Sequence, residues 1–286
     1  MAQQKRNLIT RLLEGKEKSE EYARSTLPTN RWQLFFDIFK GNLGKLVKVN
    51  ILVLLFFIPM IAVVVLSMFL SEYFSTTYPF SGHMGLGYTG FYGFMQGQAE
   101  YVTLQTNFIT LIGILLTAPI AAVGIAGGMY VIRNMVWTEG IFVANDFWRG
   151  VKLNFKNALQ ATMIMCTITF LCILAVNLSE YTIKIGDLAK WEMVLLRISQ
   201  GVSILFVVLV AMMTLWMIAL GVNYKMGFFT LFKNSFLMTI GTLPQTIFFG
   251  AIALAPYALL FIDHPIALVV VALLVIFIAF SYSLLV

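Results

Sequence analysis

The side chains that could carry chemistry are few, and their spacing gives them little to do. The histidines are His83 and His264, and the cysteines are Cys166 and Cys172. Nothing in that set has the spacing of a metal site. Cys166 and Cys172 fall in one apolar run, six residues apart. That separation does not share a helix face. They read as small buried apolar side chains, not as a disulfide pair. No nucleophile stands beside a base in a recognisable motif, and no phosphate loop of the P-loop type is present. Paired carboxylates for acid–base work are missing as well. The pattern points away from an enzyme and calls for no cofactor and no metal.

Charge is the next resource. There are 19 Lys and Arg against 13 Asp and Glu, a net charge of +6. A basic balance can serve nucleic acid, but here the positive residues are interleaved with aromatic and apolar ones. Anionic lipid headgroups are the simpler partner, and no nucleic-acid partner is expected.

One interleaved pattern occurs three times. It runs Phe, aromatic, two variable residues, apolar, Lys, any residue, Asn or Ser, apolar. Phe35, Phe36, Phe39, Lys40, Asn42 and Leu43 fill the first copy. Phe147, Trp148, Val151, Lys152, Asn154 and Phe155 fill the second. Phe228, Phe229, Phe232, Lys233, Ser235 and Phe236 fill the third. Around the first copy the apolar residues from Trp32 to Val47 form one helical stripe. An aromatic face opposite a basic face describes a helix lying in the membrane interface. All three copies are therefore expected to face the membrane, with their lysines at headgroup depth.

The elements that must position these copies are membrane spans. Hydrophobic residues make up 60% of the chain, charged residues 11%, and the mean hydropathy is +0.88. A soluble domain carries about 25% charged residues. Six runs have the length and apolarity of a span: Val49–Leu70, Phe108–Val131, Leu159–Leu178, Ile198–Val222, Thr246–Ile262 and Pro265–Leu285. Pro59, Pro119 and Pro256 lie inside runs, where neighbouring helices tolerate a kink. The central parts of all six runs lack Asp, Glu, Lys, Arg and His. Polar residues there, such as Asn177, Ser203 and Thr214, are expected to bond across helices.

Basic residues set the orientation. Residues 1–48 carry ten Lys or Arg, residues 132–157 carry four, and residues 223–245 carry two. The other side holds only Lys184, Lys190 and Arg197. The positive-inside rule then places both termini, and all three motif copies, in the cytoplasm. The expected fold is all-α: six transmembrane helices as three hairpins, each preceded by a cytoplasmic interfacial amphipathic helix. Two spans separate consecutive copies, so the units read as an internal triplication. Three unrelated interfacial helices would give the same pattern, since aromatics beside lysine are common at interfaces.

Residues 1–30 form a charged cytoplasmic tail, and residues 31–286 form a single membrane domain. The tail has no apolar core of signal-peptide length, so a cleaved leader is not expected. The second span carries Ala118, Ala121, Ala122, Gly124, Ala126, Gly127 and Gly128. Small residues let helices approach closely, so this span is expected at the bundle centre, with Ala121, Gly124, Gly127 and Gly128 in the packing. A hinge or a pore lining is the functional alternative. The outer loop, residues 71–107, holds six glycines and five tyrosines. Tyr78, Tyr88 and Tyr92 are its candidate recognition residues, against the plainer reading of a loop resting on the outer lipid interface.

Ala118–Val136 (APIAAVGIAGGMYVIRNMV), Asp146–Leu159 (DFWRGVKLNFKNAL) and Leu55–Pro59 (LFFIP) carry a resemblance to a known family. They are similar to the YesL-like bacterial integral membrane proteins, a family without an assigned biochemical function. The resemblance implies a multi-spanning envelope protein, often associated with carbohydrate uptake systems. It supplies no catalytic or binding residues.

Three function classes can be weighed. An enzyme needs acid, base or nucleophile groups held in a site. A permease for a neutral small molecule needs no buried charge, but a sugar path needs many hydrogen-bonding groups at midplane. An accessory or assembly protein needs a stable bundle, an interfacial collar and a recognition surface. The sequence reads best as the last, a multi-pass cell-membrane protein associated with carbohydrate uptake. Its partners would be membrane lipids and a transporter or envelope complex. The permease is the alternative.

Overall fold

The structure, a computed structural model, describes residues 30–77, 98–137, 140–262 and 264–286. Tyr78, Tyr88 and Tyr92, and the tail before residue 30, lie outside the described residues. The chain divides into two units, Met1–Asn42 and Leu43–Val286.

The described part of the first unit is one helix, α1 (Arg31–Gly41). Its aromatic residues recur at helical spacing and touch along its side. Trp32 meets Phe35 edge-on at 6.5 Å, and Phe35 stacks on Phe39 at 5.9 Å. Gly41 and Asn42, both weak helix formers, end it. Asn42 leaves the helical region, with its backbone N–H still bonded to the Ile38 carbonyl.

Four long helices dominate the second unit: α2 (Leu43–Thr77), α3 (Gln98–Val136), α4 (Val143–Ile185) and α5 (Lys190–Asn223). Each contains one of the first four predicted runs. At about 1.5 Å per residue each outreaches a hydrocarbon core of roughly 30 Å. Helix therefore extends into both ends of the predicted outer loop, to Thr77 and from Gln98. Pro59 and Pro119 sit inside continuous helices. The connection between α4 and α5 is short. Glu192 accepts the Ala189 N–H at 2.9 Å there and opens α5.

The rest of the unit is broken into pieces. Helix α6 (Phe228–Gly241) meets α7 (Leu243–Ala253) at 88°, across Thr242. A 3-10 turn (Ala255–Phe261) follows α7. Helix α8 (Pro265–Phe277) meets α9 (Ala279–Leu285) at 65°, across Ile278. Among the described residues, four helices are long and apolar enough to cross a membrane, or six if each bent pair counts as one span.

Two expectations need correction. Pro256 does not merely kink a span. It stands at the start of the 3-10 turn, and α7 ends before it. A proline has no N–H for the carbonyl four residues back and its ring crowds that carbonyl. The carbonyl in question, Ile252, accepts from the Tyr282 hydroxyl at 3.3 Å, and Ala253 accepts from Ser283 at 2.7 Å. The second motif copy, moreover, is not a separate interfacial helix. Phe147 lies in the first turns of the unbroken α4. The reason is local: residues 151–185 contain no glycine or proline, whereas the third copy runs into Gly241 and Pro244. A helix without a breaker continues.

Helix α3 is central, touching α2, α4, α5 and α9. The buried core joins Ala122, Ala126 and Tyr130 of α3 to Ala158 and Ala161 of α4, Met213 and Met217 of α5, and Leu231 of α6.

Candidate functional site

The three motif copies share a burial register. Ile38, Gly150 and Leu231 occupy the same motif position, and all three are buried. Phe36, Trp148 and Phe229, also equivalent, are exposed, as are Lys40, Lys152 and Lys233. The Asn or Ser position bonds back one turn in every copy. Asn42 donates to the Ile38 carbonyl at 3.4 Å, Asn154 to Gly150 at 2.9 Å, and Ser235 to Leu231 at 2.7 Å. In α4 the residues Trp148, Lys152 and Phe155 lie on one exposed face, and in α6 Phe229, Lys233 and Phe236 do the same. Spacing of four and three residues puts each set in a row. An exposed lysine between exposed rings suits the boundary between hydrocarbon and headgroup.

Not every motif residue takes the expected place. Phe147 was expected to face the membrane, yet it is fully buried. Its ring fills the hollow over Gly127 and lies 5.8 Å from the Phe56 ring. Phe35, Phe39 and Phe228 are half-buried, while Phe232 is exposed. The motif thus has an inward and an outward face.

The small residues of α3 account for that inward face. A Cβ on Gly124 would stand 2.6 Å from Phe56 Cβ, and one on Gly127 would stand 2.8 Å from Val151 Cγ2. One on Gly128 would meet Leu284 at 2.7 Å and Val53 at 2.8 Å. Ala121 is buried beside them. Side chains of α2, α4 and α9 fill this stripe, so it is packing surface. Gly150 is the residue that sequence reasoning missed. Its Cβ would stand 2.5 Å from Tyr130 Cβ. Its signal was present, a lone glycine inside a helical pattern.

Polar groups inside the unit are largely spent on backbone. Thr106, Thr110, Thr117, Thr162 and Thr214 each donate to the carbonyl one turn earlier in their own helix. Thr214 was expected to bond across helices and does not. Asn177 does, accepting from Asn107 at 3.4 Å.

Three polar clusters do bind elements together. Asn50 is fully buried and donates to the carbonyls of Val275 and Ile276 at 2.8 and 2.9 Å. Its carbonyl accepts the Ser281 N–H at 3.1 Å. One side chain thus satisfies three backbone groups freed by the break at Ile278. At the end of α3, Arg133 lies 4.4 Å from the Tyr130 ring centroid. It donates to the Val222 carbonyl at 3.0 Å and to Asn134 at 3.0 and 3.2 Å. Glu180 of α4 takes Arg197 of α5 at 2.7 Å and Gln200 at 3.2 Å.

A shallow cleft of about 360 Å³ lies where α5 gives way to α6. Leu220, Tyr224, Met226, Asn234, Leu237 and Met238 line it. No group of three or more His, Cys, Asp or Glu able to hold a metal occurs among the described residues. No family model matches the chain, and no curated protein or solved structure matches it either.

Proposed function

We propose that this is a non-enzymatic accessory or assembly component of the cell membrane, associated with carbohydrate uptake, with six spans and both termini in the cytoplasm. The observation that carries the accessory reading is the fate of most interior hydroxyls, the buried and unpartnered Thr169 Oγ1 excepted. From Thr106 to Thr117 on α3, and at Thr162 and Thr214, each is committed to its own helix. A sugar leaving water needs partners for its hydroxyls, and side chains already bonded to backbone serve that need poorly. The exposed Lys-and-ring rows on α4 and α6 supply the interfacial collar. The link to carbohydrate uptake rests on the YesL-like resemblance of Ala118–Met165.

The runner-up is a permease for a neutral small molecule. The two bent pairs favour it, because broken helices often frame substrate sites in transporters. Against it, Asn50 already occupies the carbonyls freed at the Ile278 break, and Tyr282 and Ser283 occupy carbonyls at the end of α7.

Reconstitution of the purified protein alone into liposomes separates the two readings. No saturable flux of mono- or oligosaccharide is expected, together with co-purification of a transporter or envelope complex from native membranes. Saturable, protein-dependent flux would defeat the accessory reading. Deleting residues 81–98 should abolish the co-purification if the outer loop is the recognition surface. For the topology, single cysteines at Ser81 and Ser19 in intact cells should differ. An impermeant thiol reagent should label the first and spare the second. The reverse pattern would invert the orientation.

A further inference from the structure

We infer that the cleft between α5 and α6 is a binding site for an anionic phospholipid, with acyl chain in the cleft and phosphate at its basic rim. This goes beyond the accessory reading and does not depend on it. The cleft is apolar along Leu220, Leu237 and Met238, which suits a hydrocarbon chain and little else at a membrane surface. Its rim is basic. Lys225 stands between the lining residues Tyr224 and Met226, and Lys233 lies one turn before Leu237 on the same row of α6. Both lysines are exposed.

Arg133 is tied to the same end of α5. Its guanidinium is fixed on the Val222 carbonyl at 3.0 Å, two residues before Tyr224. Three of its N–H contacts go to Val222 and Asn134, which leaves donor capacity on a five-donor group. Residues 193–262, which include both lysines, contain no Asp or Glu. Among the described residues, the ion pairs are those of Glu180 with Lys184 and Arg197, and none involves Arg133, Lys225 or Lys233. Asn234 contributes an amide whose recorded partner is the Met226 sulfur at 3.4 Å. A thioether is a weak acceptor, so that amide can turn to a headgroup oxygen. Basic pockets between membrane helices take anionic headgroups for this reason.

The test uses the full-length protein in a zwitterionic detergent, stripped of lipid. Phosphatidylglycerol and phosphatidylcholine with matched acyl chains are titrated, with thermal melting and native mass spectrometry as readouts. Phosphatidylglycerol should raise the melting temperature and stay bound in the gas phase, and phosphatidylcholine should do neither. The variant Lys225→Gln/Lys233→Gln should bind phosphatidylglycerol about thirtyfold more weakly, roughly fivefold per lysine, with lipid-free melting unchanged. The equally discharged Lys184→Gln/Lys190→Gln, at the α4–α5 connection and outside every motif copy, should bind within about twofold of the unaltered protein. Equal binding of both lipids would overturn the site, and so would an equal loss in the two double variants. Glycerol phosphate acting as well as the lipid would show an anion site without a chain, which also overturns it.

Discussion

Replacing Asn50 with leucine should be among the most destabilising single changes in the molecule. The side chain is fully buried and satisfies two carbonyls and one N–H at the bend between α8 and α9. Leucine has similar bulk, so the core stays filled while all three backbone groups lose their partner. An unsatisfied buried group costs about 1–3 kcal/mol, although hydrogen bonds inside membrane proteins average nearer ~0.6 kcal/mol. The sum expected for Asn50→Leu is about 2–4 kcal/mol. At roughly 2–4 °C per kcal/mol for a chain this long, melting in detergent should fall by on the order of 10 °C. Asn50→Asp should be at least as harmful, because an ionised carboxylate has no proton for the carbonyls of Val275 and Ile276. If Asn50→Leu melts with the unaltered protein, the staple has no energetic role. The bend must then be held by other contacts.

A second large effect separates two glycines that look alike in sequence. Gly150 and Gly201 both lie inside long helices. At Gly150 a new methyl would stand 2.5 Å from Tyr130 Cβ and 2.8 Å from its Cγ. Those atoms are the root of the side chain, so relief requires moving α3 against α4. Gly150→Ala should therefore cost at least the ~1–3 kcal/mol typical of an overpacked core. Tyr130 also carries the ring beneath Arg133, and Arg133 holds the end of α5 through Val222. Strain at Gly150 is thereby passed to a third helix. A Cβ on Gly201 would meet nothing within 4 Å beyond its own stretch of helix. Gly201→Ala removes only the helix penalty of glycine and should stabilise by about 0.5–1 kcal/mol. The two melting curves should move in opposite directions. A Gly150→Ala protein as stable as the Gly201→Ala protein would show that α3 and α4 are not in such close contact.

Much of the architecture was legible in the chain itself. Four apolar runs became four long helices because length and hydropathy alone decide whether a segment can cross hydrocarbon. The small residues of α3 announced a central helix, since close backbone approach needs them at the contact. The outward half of the repeated motif, Trp148 with Lys152 and Phe229 with Lys233, followed from helical spacing. Identity and spacing suffice for such features because each depends on a residue and its near neighbours along one helix.

Other features needed a partner distant in sequence, and only the tertiary structure decided them. Phe147 has the same motif position as Phe35 and Phe228, yet it is fully buried because Gly127 of another helix leaves room for its ring. Asn50 is, by sequence alone, one polar residue at the start of the first apolar run. Its role depends on backbone groups more than 220 positions away that the break at Ile278 sets free. The last two runs had span-like composition, but composition does not record where a helix bends. Pro256 ends α7, and hydroxyls of Tyr282 and Ser283 reach carbonyls at that end. Local propensity selects where a helix can form. Whether it breaks, and which side chain repairs the break, depends on the unmatched hydrogen-bonding groups that other segments bring alongside.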